Sequence, residues 1–179
     1  MRVDVWSDVV CPWCWIGKRR FERGLALLGG DAPQVELHWH PFLLDPDAGT
    51  GPVPLREAYA AKFGGPERTA QLLASTQAAA RAEGLPMDFE RGQVRVTTLP
   101  AHRLLWLAAR EGDVDRTGEA LFHAHFAQGR NLADPEVLAE AGQAGGLAAG
   151  RVRALLAGDE GLAEVRAQVA QAQAMGPCP

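Results

Sequence analysis

Apolar and polar residues alternate through Arg2-Val3-Asp4-Val5-Trp6, the two-residue period of a β-strand. Ser7-Asp8-Val9-Val10 reads as a turn. From Trp15 the period lengthens, and Phe21, Leu25 and Leu28 fall on one face of a helix that Gly29-Gly30 ends. Alternation returns in Val35-Glu36-Leu37-His38-Trp39-His40 and stops at Pro41. The opening of the chain is therefore strand, helix, strand.

Residues 44–54 are rich in glycine and proline and read as a loop. Helical patterns follow over residues 55–64, 66–83, 102–111, 114–128, 135–144, 149–157 and 161–175. Pro66-Glu67 suits a first helical turn, Gly84-Leu85-Pro86 stops that helix, and Asp134-Pro135-Glu136 supplies a cap, a first-turn proline and a first-turn acid. The alanine-rich composition of this region argues against strands. No repeat of 20–50 residues stands out. Residues 163–176 have high helix propensity but a thin apolar face, which predicts a mobile tail.

With 179 residues, 47% of them hydrophobic, the chain can bury a sizeable core in one domain carrying a helical insertion. A net charge of −4 gives no global basic field for nucleic acid or an anionic membrane. No charged leader precedes a long apolar stretch, and no run of about eighteen apolar residues occurs, so neither signal peptide nor membrane span is expected. A cytoplasmic location follows as an expectation.

The chemistry concentrates in Cys11-Pro12-Trp13-Cys14. Two intervening residues put both sulfurs in the first turn of a helix, close enough to form and open one disulfide. Unpaired N–H groups and the helix dipole favour a thiolate at the first sulfur. Cys11 is thus the candidate nucleophile, with a lowered pKa, and Cys14 the resolving thiol. Pro12 lacks the N–H that a first-turn position cannot use. Strand, dithiol, helix, strand is the opening βαβ unit of a thioredoxin-like domain.

Other readings of the motif fit less well. A zinc site needs four ligands, and the only further cysteine is Cys178; no metal is expected. His123 and His125 point apart on a helix and are poor joint ligands. A purely structural disulfide across two residues closes too short a loop to stabilise much. Lys18-Arg19-Arg20 is either a solvated helix face or a positive field that helps hold a thiolate near Cys11.

Four stretches resemble the FrnE-like branch of the DsbA family, thioredoxin-fold thiol-disulfide oxidoreductases interrupted by a helical domain. Residues 6–19, around the dithiol, resemble the active-site strand and helix, and His40-Pro41-Phe42-Leu43-Leu44 the end of the second strand. Pro100-Ala101-His102-Arg103-Leu104 and Leu121-Phe122-His123-Ala124-His125-Phe126, with Asn131-Leu132-Ala133-Asp134, resemble the insertion. The resemblance implies an α/β, thioredoxin-like fold: residues 1–44 carry the dithiol, 45–175 the loop and an all-helical insertion, and 176–179 a truncated tail.

It further implies that Cys11 exchanges with a substrate disulfide and Cys14 completes the reaction, with Pro12 and Trp13 tuning the potential. His102 and Arg103 are candidates to line the cleft, set against a structural role in hydrogen bonding. The implied partner is a disulfide-containing protein or small thiol, and no cofactor is needed because the electrons reside in the sulfurs. The family also leads one to expect a proline turn, two strands and a helix after the insertion. Here the sequence reads Gly176-Pro177-Cys178-Pro179, so the C-terminal part of the thioredoxin core is expected to be missing and a homodimer is one way to cover the open edge. Cys178 reads as an exposed, unassigned thiol. A glutathione-dependent isomerase or kappa-type transferase relative and a non-catalytic interaction module are the alternatives. Cys11 argues against the first, because serine commonly stands there in such relatives.

Overall fold

The computed structural model describes residues 1–31 and 33–176. Strand β1 (Arg2–Ser7) and strand β2 (Glu36–Pro41) pair in parallel, Val3 opposite Leu37 and Trp6 opposite His40. Parallel strands need a crossover. It is provided by α1 (Pro12–Leu28) and a 3-10 turn at Gly29–Asp31. Among the described residues β1 pairs with β2 alone.

Seven further helices follow: α2 (Leu55–Phe63), α3 (Pro66–Ala82), α4 (Leu99–Glu111), α5 (Val114–Phe126), α6 (Pro135–Ala144), α7 (Ala149–Ala157) and α8 (Leu162–Ala174). The helical patterns of the sequence reappear with ends shifted by a few residues. The largest shift is at α4, which begins at Leu99 with Pro100 in its first turn. The insertion is not wholly helical. Val53–Pro54 (β3) pairs antiparallel with Val94–Arg95 (β4), a rung too short for any alternating pattern to announce it. This is an α/β, thioredoxin-fold chain with a helical insertion.

The burial differs from the sequence expectation in two places. On α1, the buried residues are Trp15 and Ile16, in its first turns, whereas Leu28 is 52% exposed. The face carrying Phe21, Leu25 and Leu28 is therefore not core. Conversely, α8 is not a loose tail. Val165, Val169 and Ala172 are buried where the helix packs on α4 and β2. Three apolar positions at four- and three-residue spacing suffice to dock it.

The core has two parts. One gathers α4, α6 and α7 around Leu104, Leu107, Leu138, Val152 and Leu155. The other joins α1 to the insertion through Trp15, Ile16, Leu73, Phe89, Phe122 and Phe126. Trp15 lies nearly parallel to Phe122 and Phe126, with ring centroids 6.0 and 5.9 Å away, and its indole N–H donates to Glu119 at 3.0 Å. The helix that starts at the dithiol is thus held by the insertion at its first turn. Among the described residues no helix is long and apolar enough to cross a membrane.

Phe126→Ala is expected to destabilise the chain by about 3–5 kcal/mol, the usual cost of emptying a buried aromatic site. Urea unfolding followed by circular dichroism measures it. A loss below about 1 kcal/mol would mean that the insertion does not clamp α1 through this ring.

Candidate active site

Cys11 is the N-cap of α1, in extended conformation, and Pro12 fills the first helical turn. The turn before it is closed by the Cys11 amide donating to Asp8 O at 3.0 Å, and the Cys14 amide donates to Cys11 O at 3.1 Å. Both cysteines are free thiols of intermediate exposure. Trp13, between them, is 52% exposed and flanks the dithiol on its open side.

The two thiols are hydrogen-bonded to each other. That bond is the largest influence on both: it pulls the Cys14 thiol down to about 6 and pushes the Cys11 thiol up. Burial raises both. At Cys14 the Ser7 hydroxyl and the Asp8 amide favour the thiolate, while the Asp8 carboxylate opposes it; at Cys11 the Cys14 and Trp13 amides favour the charge. The lowered thiol predicted at Cys11 therefore falls instead on Cys14 in the reduced dithiol. Helix-terminus amides do reach Cys11, but the shared proton outweighs them. One proton serves two sulfurs, so the low titration is a property of the pair.

Near the dithiol lies a buried polar cluster built on Asp8, in a segment whose sequence reads only as a turn. Asp8 is 2% exposed. One of its carboxylate oxygens accepts the Leu44 amide at 2.9 Å; the other lies 3.4 Å from Nε2 of His102 and has no hydrogen-bond partner. His125, 1% exposed, stands on α5 nearby, with Asp8 among the charges acting on it. Burial pushes its pKa down to about 4, so the ring is neutral near pH 7. A carboxylate immediately before the apolar pair Val9-Val10, three positions before Cys11, was the available signal. Tyr59, the chain's single tyrosine, had no motif to flag it. It packs on the same apolar cluster as Cys14, and burial followed by the charges of Cys11 and Asp8 raises its phenol to about 12.

His102 and Arg103 separate, as neighbours on a helix must. His102 turns inward to Asp8 and lines a cavity of about 340 Å³ between β2, α4, α5 and α8. Arg103 does not line the cleft. Its guanidinium donates to the carbonyls of Leu155, Gly158 and Glu160 at 2.6–3.0 Å, closing the end of α7 and the loop after it. The Lys18-Arg19-Arg20 cluster is neither bare nor aimed at Cys11. Lys18 and Arg19 pair with Glu22 and Glu119, and Arg20 pairs with Glu83 at 2.8 Å. Among the described residues no three His, Cys, Asp or Glu side chains form a metal-holding group. His123 is exposed and His125 buried on opposite sides of α5. Cys178 and Pro179 lie outside the described residues.

Comparison with known proteins establishes the family and the fold. The model of the DSBA-like thioredoxin domain matches residues 2–177. The crystal structure of a probable DsbA oxidoreductase from Streptomyces coelicolor superposes with a TM-score of 0.89 at 36% identity, over 99% of this chain and 76% of that one. The cytosolic disulfide reductase DsbM from Pseudomonas aeruginosa shares the fold, with a TM-score of 0.66 at 19% identity over 98% and 78% of the two chains. An uncharacterized Bacillus subtilis protein, YwbO, is 26% identical over 147 residues, 82% of this chain and 67% of its own length.

Two titrations follow from the site. Iodoacetamide reactivity of the reduced dithiol is expected to rise with a midpoint near pH 6, and Cys11→Ser, which removes the shared proton, to move the remaining midpoint upward. An unmoved midpoint would show that the thiols do not share a proton. Burial holds the folded pKa of His125 at about 4, against 6.5 for a solvated imidazole. Between those values the unfolded chain takes up a proton that the folded chain refuses, so stability falls as pH drops through this window. The loss contributed by this group reaches about 3 kcal/mol by pH 4. Urea unfolding of the parent and of His125→Gln at pH 7 and pH 4.5 checks this, with the flatter dependence expected in the variant.

Proposed function

Because this chain belongs to the DSBA-like thioredoxin domain family, we propose that it is a thiol-disulfide oxidoreductase working through Cys11-Pro12-Trp13-Cys14. The observation that carries this reading is the pair of free, hydrogen-bonded thiols with Cys11 at the N-cap of α1. A dithiol that loses its first proton near pH 6 holds a thiolate at neutral pH, the form that attacks disulfides.

Cys11 takes the first exchange. Moving the shared proton from Cys11 to Cys14 leaves the charge on the sulfur that two α1 amides face. The Cys11 thiolate attacks a substrate disulfide, one substrate sulfur leaves as thiolate, and a mixed disulfide forms. Cys14 then attacks the Cys11 sulfur, releasing the second substrate thiol and leaving the Cys11–Cys14 disulfide. The reverse sequence oxidises a dithiol substrate. Pro12 fixes the helix start, and exposed Trp13 offers an apolar surface beside the sulfurs. No cofactor takes part.

The substrate class is a protein disulfide or a small disulfide such as that of glutathione. Several stretches support a finer placement in the FrnE-like branch, with the dithiol in residues 1–44 and the insertion in 45–175. Among the described residues β1 has no strand partner besides β2, which supports self-association as a way to cover its other edge. A cytoplasmic setting fits a cycling dithiol, since a reducing compartment keeps such pairs in turnover.

Insulin-disulfide reduction with dithiothreitol tests the reading. Turnover by the parent chain is expected to fall to the uncatalysed background in Cys11→Ser, and Cys14→Ser is expected to accumulate mixed disulfides at Cys11. Unchanged turnover in Cys11→Ser would reject the assignment.

A further inference from the structure

The cavity between β2, α4, α5 and α8 has no part in the exchange assigned to the two sulfurs. Its apolar walls are Leu37 and Trp39 from β2, Leu105 and Trp106 from α4, Phe122 from α5 and Val165 from α8. At about 340 Å³ it stands at the small end of ligand pockets, which span about 300–1,000 Å³ and combine apolar walls with a few polar groups that fix orientation. A space of this kind suits a small molecule with a mostly apolar body.

The charged groups of the lining are engaged, with one exception. Lys18, from α1, is paired with Glu22 and Glu119. On β2, His38 lies 2.8 Å from Glu36 and His40 2.7 Å from Asp4. His102 faces Asp8 at 3.4 Å, and Asp115 accepts the Trp39 indole N–H at 2.9 Å. Arg110 is the exception. Among the described residues it pairs with no carboxylate; its Nη1 donates to the Trp106 carbonyl at 3.1 Å and its guanidinium stacks over the Trp106 ring at 3.8 Å. Most of its five N–H donors are left unused. The N–H of that indole is buried and likewise without an acceptor. Gly161 packs so closely on the same ring that a Cβ there would meet it at 2.7 Å, so Trp106 is fixed in place and holds Arg110 beside the cavity.

We propose that this cavity binds a small carboxylate with an apolar tail, the carboxylate taken by Arg110 and the tail enclosed between β2, α4, α5 and α8. A guanidinium is a planar fork that matches a carboxylate with two parallel bonds, and stacking on an indole presents it in one orientation. Tryptophan, phenylalanine and leucine walls then favour a tail without polar groups. The charge count selects the head group. One uncompensated cation meets one negative charge, whereas a phosphate would bring nearly two to a lining that already carries the Asp115 carboxylate. Binding here does not depend on the dithiol, because none of the groups invoked belongs to the Cys11–Cys14 turn.

Isothermal titration calorimetry of the purified chain with octanoate, whose tail is linear, and with 2-naphthoate, whose tail is flat, tests the site. At least one is expected to bind saturably, one molecule per chain, and the tighter of the two gives the shape of the tail. Arg110→Gln is expected to weaken that binding about 10-fold, the usual worth of a charge-assisted bond, and to leave insulin-disulfide reduction at the parent rate. The uncharged amide of the same tail should bind the parent more weakly and be indifferent to Arg110→Gln. Gly118, on α5, lines the cavity, and a Cβ there would meet only Leu105 Cδ2 at 3.8 Å. Gly118→Leu therefore adds bulk at the wall without a clash at its root and is expected to abolish binding with the circular dichroism spectrum retained. Arg110 is exposed, so its substitution spares the core and decides the case even where Gly118→Leu fails to fold. Three results would overturn the proposal: no saturable binding of either carboxylate to the parent at millimolar concentration, equal affinity in parent and Arg110→Gln, or undiminished binding in a folded Gly118→Leu.

Discussion

The site depends on the contact between the first turn of α1 and the aromatic face of α5. Trp15 and Ile16 are the two residues of α1 that are buried, and Trp15 stacks on Phe122 and Phe126 while its indole donates to Glu119. Two parallel strands alone make a marginal sheet. The insertion therefore holds the dithiol helix from the side, one residue past Cys14. Arg19, one turn further along, reaches the same Glu119 at 2.6 Å, so polar and apolar contacts converge on one stretch of α5.

That anchoring has an electrostatic consequence. Holding Cys11 and Cys14 in one helical turn makes them share a proton, and this sharing outweighs burial in setting where the pair titrates. The same turn folds Asp8 under Cys14, where the carboxylate opposes a thiolate on the inner sulfur. Both sulfurs have amides near them, but Cys14 alone also feels the buried Asp8 carboxylate as a main influence. This asymmetry distinguishes two chemically similar thiols.

Much of this was legible in the sequence because it is local. Alternation marked β1 and β2, the two-residue spacing marked the dithiol, and Asp134-Pro135-Glu136 marked α6, whose cap accepts the Glu136 amide at 2.9 Å. What escaped was set by contacts distant along the chain. The buried role of Asp8 appears only when α4 brings His102 to it, from ninety-odd positions away. Arg103 looked like a cleft residue until the end of α7 and the loop after it were in place to accept from its Nε and Nη2. The apolar face of α1 at Phe21, Leu25 and Leu28 is equally clear in the pattern, yet burial depends on what packs there, and among the described residues little does. The two-residue rung of β3 and β4 is too short for periodicity to register.

Disulfide exchange by this chain requires Cys11 and Cys14 to form a reversible redox couple within an intact fold. The most direct measurement is equilibration of the purified chain across glutathione redox buffers, followed by alkylation and peptide mass analysis of the bridged cysteines. The expected result is a single two-electron transition in which a disulfide joins Cys11 to Cys14 and both thiols return on reduction, with the circular dichroism spectrum unchanged. Persistently free thiols at both positions in the most oxidising buffer, or a bridge that excludes Cys11, would contradict it.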